Sequence, residues 1–190
     1  MSERRAHLPE AERSARSDAA TSLLFALPEL RALAGRTVAG YVAVKGELDP
    51  AAALARAAAG GGLVALPRVS QEAPRLRFHR VVADAPLARG PFGLLEPDAA
   101  LPELTLDELD VMLVPGVAFD AEGRRLGLGG GYYDGALADV RARGHAALIG
   151  IAYDFQIVDR CPAGAQDVPV DLVVTDARVL RRPTSQGGGA

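Results

Sequence analysis

The run Asp110-Val-Met-Leu-Val-Pro115 constrains the fold more than any other segment. It is a short, unbroken apolar stretch bounded by turn residues, the pattern of a strand covered on both faces rather than of a half-exposed hairpin strand. Such a strand needs a layer of structure on each side, and the flanking sequence supplies strands and helices in alternation. Thr37 to Val44 is β-branched and apolar over a strand's length. Gly46, Asp49 and Pro50 then mark a turn, with Pro50 suited to the first turn of a helix. Ala51 to Ala59 reads as that helix, ended by Gly60-Gly61-Gly62. Leu63 to Leu66 reads as a second strand closed by Pro67. This strand, helix, strand succession is a βαβ unit with a right-handed crossover.

Elsewhere, Glu10 to Leu27 carries Leu23, Leu24 and Leu27 at helical spacing and stops at Pro28. Leu76 to Val82 alternates in part, as a strand near a sheet edge does. Residues 83–108 are rich in Pro and acids and read as mostly irregular. A helix is expected from Tyr132 to Arg143, and strands over 146–152 and 172–175. The fold class is therefore α/β: a single three-layer domain over residues 1–181, with a mostly parallel central sheet and helices on both faces. Residues 182–190, ending Gly-Gly-Gly-Ala, have nothing to bury and are expected to be a disordered tail.

At 190 residues and 49% hydrophobic the chain is long enough to bury a substantial core. No apolar stretch approaches the roughly 20 residues of a membrane span, so no membrane role is expected. Met1 to Leu8 is polar and basic with no apolar core behind it, unlike a secretory signal. The single cysteine, Cys161, fits a reducing cytoplasm, and the net charge of −3 argues against nucleic acid as a partner. Lys45 is the only lysine; every other cation among the 21 Lys and Arg residues is arginine. A phosphate site in this chain must rest on arginine forks and backbone amides.

The chemistry is concentrated between Val114 and Asp134. A buried strand ends at Pro115, and a loop containing Gly127, Gly129, Gly130 and Gly131 feeds a helix. Ligands of α/β sheets bind beyond the carboxyl ends of the strands. Glycines admit close backbone approach, and a helix start adds partial positive charge. Arg124 and Arg125 are expected to supply fixed cations beside this cradle for polyphosphate. The loop lacks the Gly-Lys-Ser/Thr ending of a P-loop and the third glycine of the dinucleotide fingerprint. Taken alone it is also what a flexible surface loop before a helix looks like. Tyr132 and Tyr133 adjoin the glycines in a chain with only 5% aromatics, where a ring can stack on a heterocycle or a hydroxyl can meet a phosphate. Asp134, in the first helical turn, serves either the helix dipole or Mg2+.

Read whole, Val114 to Asp134 resembles the signature of the 5-formyltetrahydrofolate cyclo-ligase family, with Arg-Leu-Gly-x-Gly-x-Gly-Tyr-Tyr-Asp at its core. The resemblance extends to Gly46-Glu47, to Leu66-Pro67-Arg68, to Phe92-Gly93-Leu94-Leu95-Glu96-Pro97, and to Asp167 ahead of Val170-Asp171-Leu-Val-Val-Thr175. In order and spacing it covers about residues 10–178.

The resemblance implies an ATP-dependent ligase that converts 5-formyltetrahydrofolate into 5,10-methenyltetrahydrofolate, ADP and phosphate. In that reaction the γ-phosphoryl group passes to the formyl oxygen, the anilino nitrogen attacks the activated carbon, and phosphate leaves. Carried over by position, Arg125, Gly127, Leu128, Gly129, Gly130, Gly131, Tyr132 and Tyr133 are the ATP-binding residues, with Arg125 and Tyr132 closest to the chemistry. Val42, Glu47, Leu128, Gly129, Gly130, Gly131 and Tyr132 border the folate, and Asp134 and Asp167 are the Mg2+ ligands. A monomer is expected, with ATP and the folate as its small-molecule partners.

Three departures stand out. Family members begin with a longer basic helix that touches the ATP phosphates, so either Arg4 or Arg5 compensates here or the start lies upstream of Met1. Leu128 replaces a residue that is often basic or polar, and Ala165 one that is often acidic. They leave a non-catalytic folate- or nucleotide-binding relative as the second reading. Other constellations are weaker. His7, His79 and His145 are scattered, and with one cysteine they make no zinc spacing. Ser70 and Ser185 lie in no nucleophile elbow. Cys161 is expected to be a structural thiol, and Arg75, Arg77 and Arg80 around Phe78 a solvated sheet face.

Overall fold

The computed structural model describes residues 1–70, 75–82, 85–162, 164 and 167–183, with Phe92 described by its backbone alone. Helices α1 (Ser2–Ala6) and α2 (Glu10–Leu24) precede β1 (Thr37–Ala39), α3 (Ala51–Ala59) and β2 (Leu63–Val69). An antiparallel return, β3 (Leu76–Val81), leads to the paired β4 (Leu87–Arg89) and β5 (Leu95–Pro97) and to the two-residue β6 (Glu103–Leu104). The second half holds β7 (Val111–Pro115), the pair β8 (Ala118–Phe119) and β9 (Arg125–Leu126), and α4 (Tyr132–Arg143). It ends with β10 (Ala147–Ile151), β11 (Leu172–Val174) and β12 (Val179–Arg181).

The central sheet has eight strands in the order β12-β11-β10-β7-β1-β2-β3-β6. Its middle, from β11 to β2, is parallel, while β12, β3 and β6 join antiparallel at the flanks. The alternation along β7 shows how the layers form. Val111 and Leu113 pack with Leu24 of α2 and Leu54 and Ala57 of α3, whereas Met112 and Val114 pack with Leu137 and Val140 of α4. Val111 to Val114 are each at most 1% exposed, so this strand is buried on both faces and the expected three-layer α/β fold is what forms.

Several boundaries differ from the sequence reading, each for a physical reason. Strand β1 ends at Ala39 rather than Val44. Gly40 passes beneath α3, where a Cβ would lie 2.6 Å from a Leu54 methyl, and Lys45 and Gly46 then turn the chain at positive φ. Strand β2 runs through Pro67 to Val69: its partner β1 reaches only Ala65, so a residue without an N–H is tolerated there, and pairing with β3 continues. Helix α2 stops at Leu24 because Pro28 holds Leu27 extended, at ψ 143. The irregular stretch 83–108 contains short strands, and Val179–Arg181 closes the sheet as an edge strand. Of the tail 182–190 expected to be disordered, residues 184–190 lie outside the described residues, as does Ala165, whereas the Arg182 N–H donates to the Asp171 carbonyl at 3.0 Å.

The chain order carries β1 to β2 in one direction across the sheet and β7 to β10 and β11 in the other. The topological switch therefore falls between β1 and β7, which is where doubly wound sheets open a crevice at their carboxyl ends.

Candidate functional site

A cavity of about 610 Å³ occupies that crevice. One wall is the segment after β1, from Tyr41 to Glu47. Another is the turn after β7, Pro115 to Val117. The third is the glycine loop and first turn of α4, Gly127 to Asp134, with Arg125 behind it. Val42, Glu47, Arg125, Gly127, Leu128, Gly129, Gly130, Gly131, Tyr132, Tyr133 and Asp134 all line this one space, although more than 80 residues of sequence separate the first from the last.

The loop takes its shape from its glycines. Gly129 and Gly131 sit at φ 86 and φ 70, the left-handed region that L side chains rarely adopt. Gly131 is also the N-cap of α4, so the start of that helix, with its partial positive charge, lies beside the cavity. Arg125 anchors the loop from behind. Its Nη2 donates to Asp134 Oδ1, and its guanidinium lies 5.7 Å from the Tyr133 ring centroid. Leu128 is 59% exposed at the rim. The Tyr133 hydroxyl is buried with no hydrogen-bond partner among the described residues. Burial, reinforced by the negative field of Glu47, pushes its pKa up, so it stays a protonated donor.

Glu47 sits on the opposite wall, 8% exposed. Its Oε2 accepts the Val44 N–H at 3.1 Å and its Oε1 lies 4.0 Å from Arg5 Nη1. Burial raises its pKa, and the Val44 N–H, Arg5 and Lys45 oppose that rise without cancelling it. A buried carboxylate with one hydrogen bond has lone pairs to spare for a ligand's N–H edge.

Not every expected site residue gathers here. Arg124 turns away from the cradle: its Nε donates to the fully buried Asp120 at 2.7 Å and its Nη2 to Glu122. Only Arg125 of the arginine pair lines the cavity. Asp167 is not among the lining residues; its carboxylate accepts the Gly164 N–H at 2.7 Å. Neither Arg4 nor Arg5 reaches the glycine loop, since Arg4 lies over the Phe155 ring and Arg5 is buried under Gly116. Cys161 is buried, and burial pushes its thiol up, which suits a structural residue.

Sequence reasoning assigned no role to Glu96, which lines the cavity from β5 at 2% exposure. Its Oε1 accepts the Val69 N–H at 3.1 Å; Oε2 makes no hydrogen bond among the described residues and lies 3.8 Å from Arg68 Nη1. An acid set between Leu94-Leu95 and Pro97 was the available signal. Lys45, the lone lysine, is also at the rim, held at φ 50.

Fold and cavity together define an α/β protein with a crevice at its sheet switch point, an amide cradle and arginine on one wall and a buried carboxylate on the other. The chain belongs to the 5-formyltetrahydrofolate cyclo-ligase family, whose model matches residues 1–176. It is 33% identical over 178 residues to the 5-formyltetrahydrofolate cyclo-ligase of Escherichia coli K12, covering 93% of this chain and 96% of that one. The enzyme of the same name from Mycolicibacterium smegmatis is 34% identical, with 92% and 89% covered. Among solved structures, 5,10-methenyltetrahydrofolate synthetase of Aquifex aeolicus superposes with a TM-score of 0.81 at 36% identity, covering 100% of this chain and 92% of that one.

Proposed function

We propose that this chain catalyses the ATP-dependent cyclisation of 5-formyltetrahydrofolate to 5,10-methenyltetrahydrofolate, releasing ADP and phosphate. One observation carries the reading: the Gly127–Tyr133 cradle with Arg125 and the buried Glu47 face each other across a single cavity. That arrangement suits a triphosphate on one wall and the donor edge of a reduced pterin on the other.

The formyl oxygen is a poor leaving group until it is phosphorylated. Transfer of the γ-phosphoryl group to that oxygen makes the formyl carbon electrophilic. The anilino nitrogen attacks it and gives up its proton, the C–O bond breaks, and phosphate carries away the oxygen and that proton as the methenyl bridge closes. Phosphoryl transfer needs alignment and charge neutralisation more than covalent help. The loop amides and Arg125 hold the phosphates, with Tyr132 at the reacting end, and Glu47 with Val42 orients the pterin. Leu128 at the rim and the glycines shield the space between them.

We assign Mg2+ to Asp134, which lines the cavity, together with Asp167, which stands outside that lining. Among the described residues no group of three acids, histidines or cysteines is gathered for a metal. A half-exposed Asp134 at the cradle fits an ion that uses few carboxylates and keeps substrate oxygens and water. When bound, Mg2+ neutralises the phosphate oxygens. Asp134, whose Oδ1 accepts from Arg125, would help to hold that ion. We read the enzyme as a cytoplasmic monomer, in keeping with its single cysteine. A non-catalytic relative is disfavoured because cradle, Arg125, Asp134 and Glu47 are all in place.

Methenyl formation gives a rise in near-ultraviolet absorbance. It is expected only when 5-formyltetrahydrofolate, ATP and Mg2+ are all supplied to the full chain. Binding of the folate without ATP consumption would instead select the non-catalytic reading.

A further inference from the structure

Arg5 is the largest fully buried side chain among the described residues, 1% exposed, although it belongs to the five-residue helix α1. Its guanidinium passes under the cavity floor. Nη1 donates to the Gly116 carbonyl at 3.0 Å and stands 4.0 Å from Glu47 Oε1. Gln156 Nε2 donates to the same carbonyl at 2.9 Å and to that of Val117 at 2.8 Å, so the turn after β7 is gripped from two sides. The backbone of α1 also closes on the Glu47 loop: a Cβ at Gly46 would lie 2.6 Å from the Arg5 carbonyl oxygen. Meanwhile Arg5 Nε and Nη2 donate to no acceptor among the described residues.

A buried guanidinium held by one carbonyl and a carboxylate 4.0 Å away is poorly compensated as a device for stability alone. Its placement makes sense if it serves the site. Glu47 and Gly116 both line the cavity, on the two sides of the sheet's switch point, and Arg5 touches both loops from behind.

We propose that Arg5 is a positioning residue of the folate site, tying the loop that carries Glu47 to the turn at Gly116 and supplying the buried cation that faces the Glu47 carboxylate. This rests on the reading of Glu47 as the pterin's partner. The other groups facing Glu47 are Lys45 on its own loop, Tyr41 after β1 and Tyr133 on α4, with the Tyr153 hydroxyl donating to its backbone carbonyl at 3.4 Å. Of these only Arg5 and the exposed Lys45 are cations.

The test compares the full chain with Arg5→Gln, Arg5→Lys, Glu47→Gln and the double variant Arg5→Gln/Glu47→Gln, with Arg4→Gln as a control on the same helix. KM for each substrate, the pH dependence of kcat/KM for the folate, and the thermal midpoint are measured. Arg5→Gln is expected to raise KM for 5-formyltetrahydrofolate about tenfold and leave that for ATP within about twofold. The acid limb of its profile moves to higher pH, because a cation that favoured the ionised carboxylate is gone. In the Glu47→Gln background the same change adds little. Arg5→Lys keeps the limb in place while raising the folate KM, since an ammonium lacks the fork. A lowered thermal midpoint with an unaltered KM ratio and pH profile would make Arg5 merely structural and overturn the proposal. If Arg5→Gln does not fold, Arg5→Lys decides: an unchanged folate KM overturns it. Turnover by the unmodified chain separates the two failures, because its absence sinks the function while its presence with indifferent Arg5 variants sinks only this inference.

Discussion

Arg125 and Asp134 are paired across the start of the glycine loop, so the cation behind the cradle and the carboxylate at its mouth hold each other in place before any ligand arrives. The pair joins β9 to the first turn of α4 and makes the loop between them a fixed strap rather than a free connection. The Arg125 side chain is buried while that of Asp134 is 44% exposed, which divides their roles.

That division predicts different losses. Arg125→Ala should raise KM for ATP far more than KM for the folate. Asp134→Asn should cut kcat about 100-fold or more, the scale of losing one preorganised charge contact. Its folding free energy should change by no more than about 1 kcal/mol, because Asp134 is itself 44% exposed and solvent-screened, and the Asn amide oxygen still accepts from the buried Arg125. Steady-state kinetics with a urea titration check both. A larger effect of Arg125→Ala on the folate would mean the walls are assigned the wrong way round.

Tyr133→Phe removes a hydroxyl that is buried and has no hydrogen-bond partner among the described residues. Stability should stay level or rise by up to about 1 kcal/mol, since an unsatisfied buried donor is a cost. Ligand affinity should fall, because that hydroxyl has its chance of a partner only in the complex. Calorimetric titration set beside thermal melting checks the opposite signs; a clear loss of stability would show the hydroxyl already satisfied.

Gly131→Ala separates strain from crowding. No heavy atom lies within 4 Å of a Cβ placed there, so the substitution costs only what φ 70 imposes, about 1 to 2 kcal/mol. The added methyl nevertheless stands on the face the phosphates must approach, and ATP affinity should drop more than tenfold. Gly135→Ala, with equal space in the interior of α4 and an ordinary helical backbone, should stabilise by about 1 kcal/mol and leave ATP binding alone.

Asp120 holds Arg124 from outside the cavity lining. Burial acts most strongly on its carboxyl and pushes its pKa up. The N–H groups of Cys161 and Arg124 and the Arg124 guanidinium outweigh that and hold the carboxyl below its ordinary range. A lowered folded-state pKa gives stability that is present above the unfolded value of about 4 and is lost as pH falls through the lowered one. Asp120→Asn should therefore cost about 2 to 4 kcal/mol at pH 7. The gap between variant and parent should close in acid, as urea titrations at both pH values would read.

Local patterns carried much of this into the sequence. Val111 to Val114 declared a strand covered on both faces through uninterrupted apolarity, and the glycines before Tyr132 declared a close-approach loop. Both signals are contained in a few neighbouring residues. Arg5 was illegible because its burial depends on Gly116, 111 positions away, and nothing beside it in the chain marks it as internal. Arg124 and Arg125 look alike in sequence, and only Asp120 below the loop separates the structural one from the one at the site. Strand β12 was missed because Val179 to Arg181 is short and gains its meaning from β11 alone.

A crystal structure with Mg2+ and a non-hydrolysable ATP analogue puts the central claim to its most direct test. The triphosphate should lie within hydrogen-bond reach of the backbone amides of 129–132, with the Arg125 guanidinium on its oxygens and its terminal group turned toward Glu47. A nucleotide seated instead in the polar groove between α2 and the Glu47 loop, lined by Arg13, Ser17 and Asp49, would contradict the account.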